Sequence, residues 1–122
     1  MIEVTIKNYL EGALNGVPVF LELPEVPSED YPQWPERFVL IEKVGGSRRN
    51  FVQLESFAIQ SHSTKRLADA AALDEQVRDA MDVMAEDVEE IGSCRMASNY
   101  NHTDIRTKRY RYQCVYDIAF SR

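Results

Sequence analysis

The end of the chain has an apolar or aromatic side chain at every second position. Between residues 110 and 120 every second side chain is apolar or aromatic, namely Tyr110, Tyr112, Cys114, Tyr116, Ile118 and Phe120, while Arg109, Arg111, Gln113 and Asp117 fall between them. A period of two residues is that of a β-strand with one buried face. The pattern therefore predicts a strand from Lys108 to Phe120, in a sheet whose apolar face is covered by another layer.

Two segments have the period of a helix instead. From about Thr64 to Glu86 one apolar face is formed by Leu67, Ala70, Ala71, Val77, Met81, Met84 and Val88. Ser63 or Thr64 can cap its start. A shorter stripe predicts a first helix from Ile2 to Leu14, with Gly16 as the C-cap.

The remaining strands are predicted from shorter patterns. We expect strands at Val17 to Leu23, Arg37 to Val44, Asn50 to Ser61 and Ile91 to Tyr100. The prolines from Pro24 to Pro35 indicate an extended loop, Gly45-Gly46-Ser47 a hairpin turn, and Asn101 to Thr107 a polar loop. The apolar parity changes between Val52-Leu54 and Phe57-Ile59, which predicts a bulge near Ser56.

The order of elements is α-β-β-β-α-β-β. It predicts an α+β fold, in which a largely antiparallel sheet of about five strands has two helices packed on one face and its other face exposed. With 122 residues, the chain is expected to form one domain, residues 1–122.

Composition excludes several classes of protein. Twenty acidic and 14 basic side chains give a net charge of -6, which argues against general affinity for nucleic-acid phosphate. Neither a bilayer-spanning apolar run nor a signal-peptide pattern is present, so we expect no membrane partner. Two cysteines are too few for a disulfide framework, which favours a reducing cytoplasm.

Residues that could carry chemistry are few. His62 is expected where the third strand meets the long helix, and His102 in an exposed loop; structural or surface roles suit both. A hairpin centred on Asp104 would set Cys94 opposite Cys114, which permits a disulfide, although two reduced cysteines are the simpler interpretation. The acidic run from Glu86 to Glu90 lacks the ligand spacing of a calcium loop. We expect no catalytic residues, cofactor or metal.

Two loops carry local positive charge in an otherwise acidic protein. Gly45-Gly46-Ser47-Arg48-Arg49 has some character of a phosphate-binding loop, but it lies between strands and lacks the lysine that ends such loops. Basic residues also cluster near the last turn, at Arg106, Lys108, Arg109 and Arg111. These groups suit pairing with an acidic neighbouring molecule.

The segment from Pro35 to Asn50, PERFVLIEKVGGSRRN, resembles the tail terminator, or tail-completion, proteins of long-tailed bacteriophages and prophages. In that family a Pro-Arg-Phe-Val strand leads to a Gly-Gly turn with arginines, a second strand and an alanine-rich helix. Phe57-Ala58-Ile59-Gln60 and Leu67-Ala68-Asp69-Ala70-Ala71 stand in the corresponding places. The final strand, with Arg109-Tyr110-Arg111-Tyr112-Gln113, is similar as well.

The resemblance implies a structural protein of virion assembly and head-tail joining. Such subunits assemble with one another into a six-fold, hexameric ring. This ring caps the last ring of major tail tube protein and presents its opposite surface to a head-completion or neck protein. It would be found at the tail-neck junction of the virion and in the host cytoplasm during assembly. DNA would only pass through, helped by acidic side chains facing the lumen. The expected contact residues are Gly45, Gly46, Ser47, Arg48, Arg49, His102, Asp104, Arg106 and Lys108.

Three other functions stay open at this point. A head-completion or neck adaptor shares the small α+β build. A monomeric cytosolic module could bind a small ligand or RNA, with the tyrosines of the last strand stacking on bases. An enzyme would need a convergent set of groups around His62 or Cys94.

Overall fold

The computed structural model describes residues 2–22, 35–49, 51–106 and 109–121. Two helices and five strands follow one another in the predicted order. Their bounds are α1 Ile2–Ala13, β1 Val19–Phe20, β2 Arg37–Arg49, β3 Val52–Ser63, α2 Leu67–Asp87, β4 Ile91–Asn101 and β5 Tyr110–Ser121. The proline loop predicted between Pro24 and Pro35 lies almost wholly outside the described residues.

The strands form one sheet in the order β1-β2-β3-β5-β4. The short β1 runs parallel to β2, while the pairs β2-β3, β3-β5 and β4-β5 are antiparallel. The structure therefore confirms the α+β class and a largely antiparallel sheet.

Both helices pack on the same face of the sheet. Fully buried side chains of α2, including Leu73, Val77 and Met81, meet Phe57 and Ile59 of β3 in one apolar cluster. Ile6 and Leu10 of α1 join the same cluster. Burying each of these side chains stabilises the fold by roughly 1.5–3 kcal/mol, so this cluster holds the two layers together.

The first helix ends as predicted. Asn15 and Gly16 both have positive φ angles, 52° and 89°, which reverse the chain after α1. Glycine adopts such angles without steric cost, and asparagine tolerates them better than most residues. The reversal lets the chain enter β1, which is shorter than the predicted strand from Val17 to Leu23.

The prediction of a turn at Gly45-Gly46-Ser47 is wrong. These residues continue β2, which stays paired with β3 until Arg49 meets Val52. Gly46 has a different role, because a Cβ atom there would lie 3.3 Å from the carbonyl oxygen of Leu54 and 3.5 Å from Cε of Lys43. A side chain at this position would crowd the Leu54 carbonyl oxygen, so glycine suits the close pairing of β2 with β3 here.

The predicted bulge is displaced onto the neighbouring strand. Pairing of β2 with β3 shifts between Lys43 and Gly45, opposite Ser56 and Phe57, whereas β3 pairs with β5 without any shift. The change of parity in β3 thus reflects apolar side chains on both faces of a regular strand. Val52 and Leu54 face away from the helices.

The long helix begins three residues later than predicted. Ser63 is the last residue of β3, and its Oγ accepts hydrogen bonds from the backbone N–H groups of Lys65 and Arg66, at 3.2 and 3.3 Å. His62 therefore lies within β3 instead of at a junction. Leu67, predicted on the apolar face, is exposed, whereas Leu73 and Asp74 are buried.

Cys94 and Cys114 do not face each other. Cys94 is paired with Ile118, and Cys114 with Asn99, so the two cysteines are offset along the β4-β5 hairpin. The centre of the hairpin causes the offset, because it lies beyond Asp104, between that residue and its partner Arg109. Both thiols are free, and burial raises the pKa of Cys94 to about 12 and that of Cys114 as well.

A buried carboxylate joins α2 to the edge strand β4. Asp74 is 1% exposed; it accepts hydrogen bonds from Arg78 Nε at 2.9 Å and from Asn99 Nδ2 at 3.1 and 3.0 Å. The pairing offsets the cost of removing this charge from water.

Replacing Asp74 with alanine is expected to lower the free energy of unfolding by about 2 kcal/mol, because Arg78 and Asn99 lose their partner. Urea unfolding monitored by circular dichroism measures the change in the free energy of unfolding. Asp69→Ala is the control: its ion pair with Arg66 is largely exposed, so we expect a change within ~0.5 kcal/mol. Equal losses in the two variants would contradict the structural role of Asp74.

Candidate interaction surfaces

The distal part of the β2-β3 hairpin exposes apolar side chains. We call residues 43 to 55 the hairpin tip. Val44 is 56% exposed, Phe51 86%, Val52 49% and Leu54 41%. Isolated exposed apolar residues are common, but four in one short hairpin mark a surface suited to contact with another molecule.

The other face of the hairpin tip carries a row of polar contacts. Arg48 Nε donates to Gln53 Oε1 at 3.2 Å, Gln53 Nε2 donates to Glu55 Oε1 at 3.3 Å, and Lys43 Nζ lies 3.0 Å from the same oxygen. Glu55 is 7% exposed, and its Oε2 has no hydrogen-bond partner among the residues that the structure describes. These contacts, together with strand pairing on both sides of the shift at Val44, hold the tip in the plane of the sheet.

Charge is divided between the two layers. The helix α2 contains seven acidic residues and one basic residue, a net charge of -6, and α1 contains two acidic residues and one basic residue, a net charge of -1. The hairpin tip contains Lys43, Arg48 and Arg49 against Glu55 alone, a net charge of +2. The whole chain has a charge of -6, so its acidity resides in the helical layer.

The second predicted contact loop lies at the opposite end of the sheet. Val52, beside the turn of the hairpin tip, pairs with Ser121, whereas Asn101 pairs with Tyr112 near the other end of β5. The sequence predicts contact residues in two loops, Gly45, Gly46, Ser47, Arg48 and Arg49 in one and His102, Asp104, Arg106 and Lys108 in the other. The structure places these loops at opposite ends of the sheet, and Lys108 lies outside the described residues.

This second loop is well supplied with hydrogen bonds. Asn101 Oδ1 accepts from the backbone N–H of Thr103 at 3.0 Å, Asp104 Oδ1 accepts from that of Arg106 at 3.0 Å, and Asp104 forms a bridge with Arg109. His102 rests edge-on against Tyr100. Ile105 is 88% exposed at its tip.

The sheet face opposite the helices is partly buried, contrary to the expectation of an exposed face. Phe38, Leu40, Gln60, His62 and Gln113 are each less than one-tenth exposed. The His62 ring stacks on Phe38. A row of hydrogen bonds begins at His62 Nε2, which contacts Gln60 Oε1 at 3.0 Å, and continues from Gln60 Nε2 to Gln113 Oε1, also at 3.0 Å. Gln113 Nε2 in turn donates to the Tyr100 hydroxyl. Since Gln60 Oε1 only accepts, Nε2 of His62 carries the proton.

His62 is held neutral by this environment. Burial, followed by the positive charges of Arg111 and Arg109, lowers the pKa of His62 to about 4. In the unfolded chain His62 binds a proton near pH 6.5. The contribution of His62 to the free energy of unfolding is therefore complete above that pH and is lost as the pH falls toward 4.

We expect the free energy of unfolding to fall by about 2 kcal/mol between pH 7 and pH 5 through His62 alone. Urea titrations at the two pH values measure this. The His62→Gln variant should be less stable at pH 7 but should lose about 2 kcal/mol less on acidification. His102→Gln, at an exposed site, should behave like wild type, and a pH dependence unchanged by His62→Gln would contradict the assignment.

The tyrosines of the last strand do not form an open stacking surface. Tyr116 is fully buried beneath α2, and its hydroxyl donates to Asp82 Oδ1 at 2.9 Å; Tyr110 and Tyr112 are half-buried. Burial and the hydrogen bond to Asp82 raise the pKa of Tyr116. Tyr116 is therefore closed to stacking on a base, whereas Tyr110 and Tyr112 keep part of their surface exposed.

Both edges of the described sheet contain irregularities. β4 is the outermost strand on one side and shifts register twice; on the other side β1 pairs only with Val39 and Leu40, and the exposed continuation of β2 contains the shift at Val44. Bulges disfavour pairing with the strand edge of another molecule. Contacts through side chains are therefore favoured over extension of the sheet.

Within the described residues, no three His, Cys, Asp or Glu side chains are grouped so that they could hold a metal ion. None of the described helices is long and apolar enough to cross a membrane. The chain matches no protein-family model and no curated protein.

Proposed function

We propose that this chain is a ring-forming structural subunit that caps a phage or prophage tail tube and joins it to the head-neck complex. The observation that carries the proposal is the presence of two complementary surfaces on one subunit. The hairpin tip is apolar and basic, and the helical layer is acidic. Because these surfaces differ, association is head-to-tail, and a head-to-tail contact repeated with a closing rotation makes a ring.

The two contact loops suit this arrangement. The hairpin tip and the loop between β4 and β5 lie at opposite ends of the sheet, so one end of a subunit can serve ring contacts while the other meets an axial partner, the tail tube or a neck protein. The α+β fold agrees with the resemblance to tail terminators. The ring is expected to be six-fold on that resemblance.

The test measures the mass of the purified chain by light scattering over a range of concentrations, alone and with tail tubes of the phage that encodes it. A mass of about six subunits, or density confined to one end of the tubes in electron micrographs, supports the proposal. A monomer at every concentration that leaves tube ends bare overturns it. Binding to neck complexes but not to tubes would favour the adaptor function.

A further inference from the structure

A groove between the two helices lies on the acidic surface. It has a volume of about 470 Å³, within the range of roughly 300–1,000 Å³ typical of ligand pockets. Tyr9 and Ala13 of α1 and Ala80 and Val83 of α2 give it apolar walls, and Asp79 and Gln76 add polar groups. Val83 is 42% exposed, so the groove offers apolar surface to a partner.

The walls of the groove are fixed. The Tyr9 hydroxyl donates to the carbonyl oxygen of Ala80 at 3.1 Å or to Asp87 Oδ2 at 2.9 Å, which ties α1 to α2 beside Val83. A surface that is already formed loses little conformational entropy when a partner docks.

We propose that the hairpin tip of one copy docks in the α1-α2 groove of the next copy. The exposed Phe51 ring, at the turn, would enter the groove between its apolar walls. Val52 and Leu54 would follow on one face of the hairpin, and Arg48, on the other face, would approach Asp79. This inference rests on the proposed function, since it names the contact that builds the ring.

A second copy is the occupant that the charges favour. The hairpin tip has a net charge of +2 and the two helices together -7, so identical subunits attract one another through different surfaces. The tip cannot fill the groove of its own chain, because its strands remain paired as far as Arg49 and Val52 and keep it in the plane of the sheet.

A charge exchange tests the contact. Arg48→Glu and Asp79→Arg are each expected to raise the concentration needed for assembly, or for capping of tube ends, by about tenfold through repulsion of like charges. The double variant restores an opposite-charge pair and should assemble within about threefold of wild type. Glu75→Arg makes the same charge change on an exposed part of α2 that does not line the groove, and it should leave assembly unchanged.

Sedimentation, with and without tail tubes, measures all four variants after circular dichroism has shown that they fold. Additional variants at apolar sites, Phe51→Asp and Val83→Asp, keep the test independent of charge. If Phe51→Asp stops assembly while Asp79→Arg and Val83→Asp do not, the groove is not the receptor and the ring function stands. An effect of Glu75→Arg equal to that of Asp79→Arg would also overturn the docking. A wild-type chain that assembles in neither condition overturns the proposed function as well.

Discussion

Replacing Phe51 with aspartate is expected to abolish ring formation while leaving the fold intact. Phe51 is 86% exposed in the isolated chain, so the loss of its side chain should change the free energy of unfolding by no more than ~0.5 kcal/mol. In an assembled ring the same side chain would be buried, and exposed aromatic residues that become buried dominate the energy of many interfaces. We expect the apparent dissociation constant between subunits to rise about 100-fold or more.

The matched control is Ile105→Asp. Ile105 is 88% exposed, as much as Phe51, but it lies in the loop at the other end of the sheet. This variant should keep the assembled mass of wild type, and any defect should appear only in binding to tubes or neck proteins. Phe51→Leu, which keeps an apolar side chain, should retain most of the assembly. Light scattering that shows wild-type assembly for Phe51→Asp would exclude the hairpin tip from the ring contact.

Replacing Tyr116 with alanine is expected to lower the free energy of unfolding by about 4 kcal/mol, the largest effect on stability among the variants considered. The side chain is fully buried between the sheet and α2, so its removal combines lost burial with a cavity. Small domains have only about 5–15 kcal/mol of stability in total, so this variant should unfold at a much lower urea concentration.

Two variants separate packing from hydrogen bonding. Tyr116→Phe keeps the ring and removes only the hydroxyl that donates to Asp82, so it should cost about 1 kcal/mol. Tyr100→Ala removes the same type of side chain from a site that is 43% exposed, and it should also cost about 1 kcal/mol. If Tyr116→Ala were as mild as Tyr100→Ala, then Tyr116 would not be a core residue, and its use as a stacking surface would again have to be considered.

Some features of the contact surfaces were accessible from the sequence. The sequence predicts Arg48 beside a basic hairpin turn, although it places that turn at Gly45 to Ser47. The signal for the apolar surface was also present, since Val52 and Leu54 have a parity opposite to that of Phe57 and Ile59. The same pattern predicts a bulge, because sequence parity alone does not distinguish an extra residue from an apolar side chain on the outer face.

The helices and strands and their order follow from local patterns in the chain. Periods of two and 3.6 residues reflect the geometry of a single strand or helix, so the final strand and α2 could be predicted from neighbouring residues. The placement of individual residues does not follow from such patterns. The offset of Cys94 from Cys114, the burial of His62, the length of the β2-β3 hairpin and the separation of the two contact loops all depend on strand register and layer packing. Those are set by contacts between residues far apart in the chain, which no local period records.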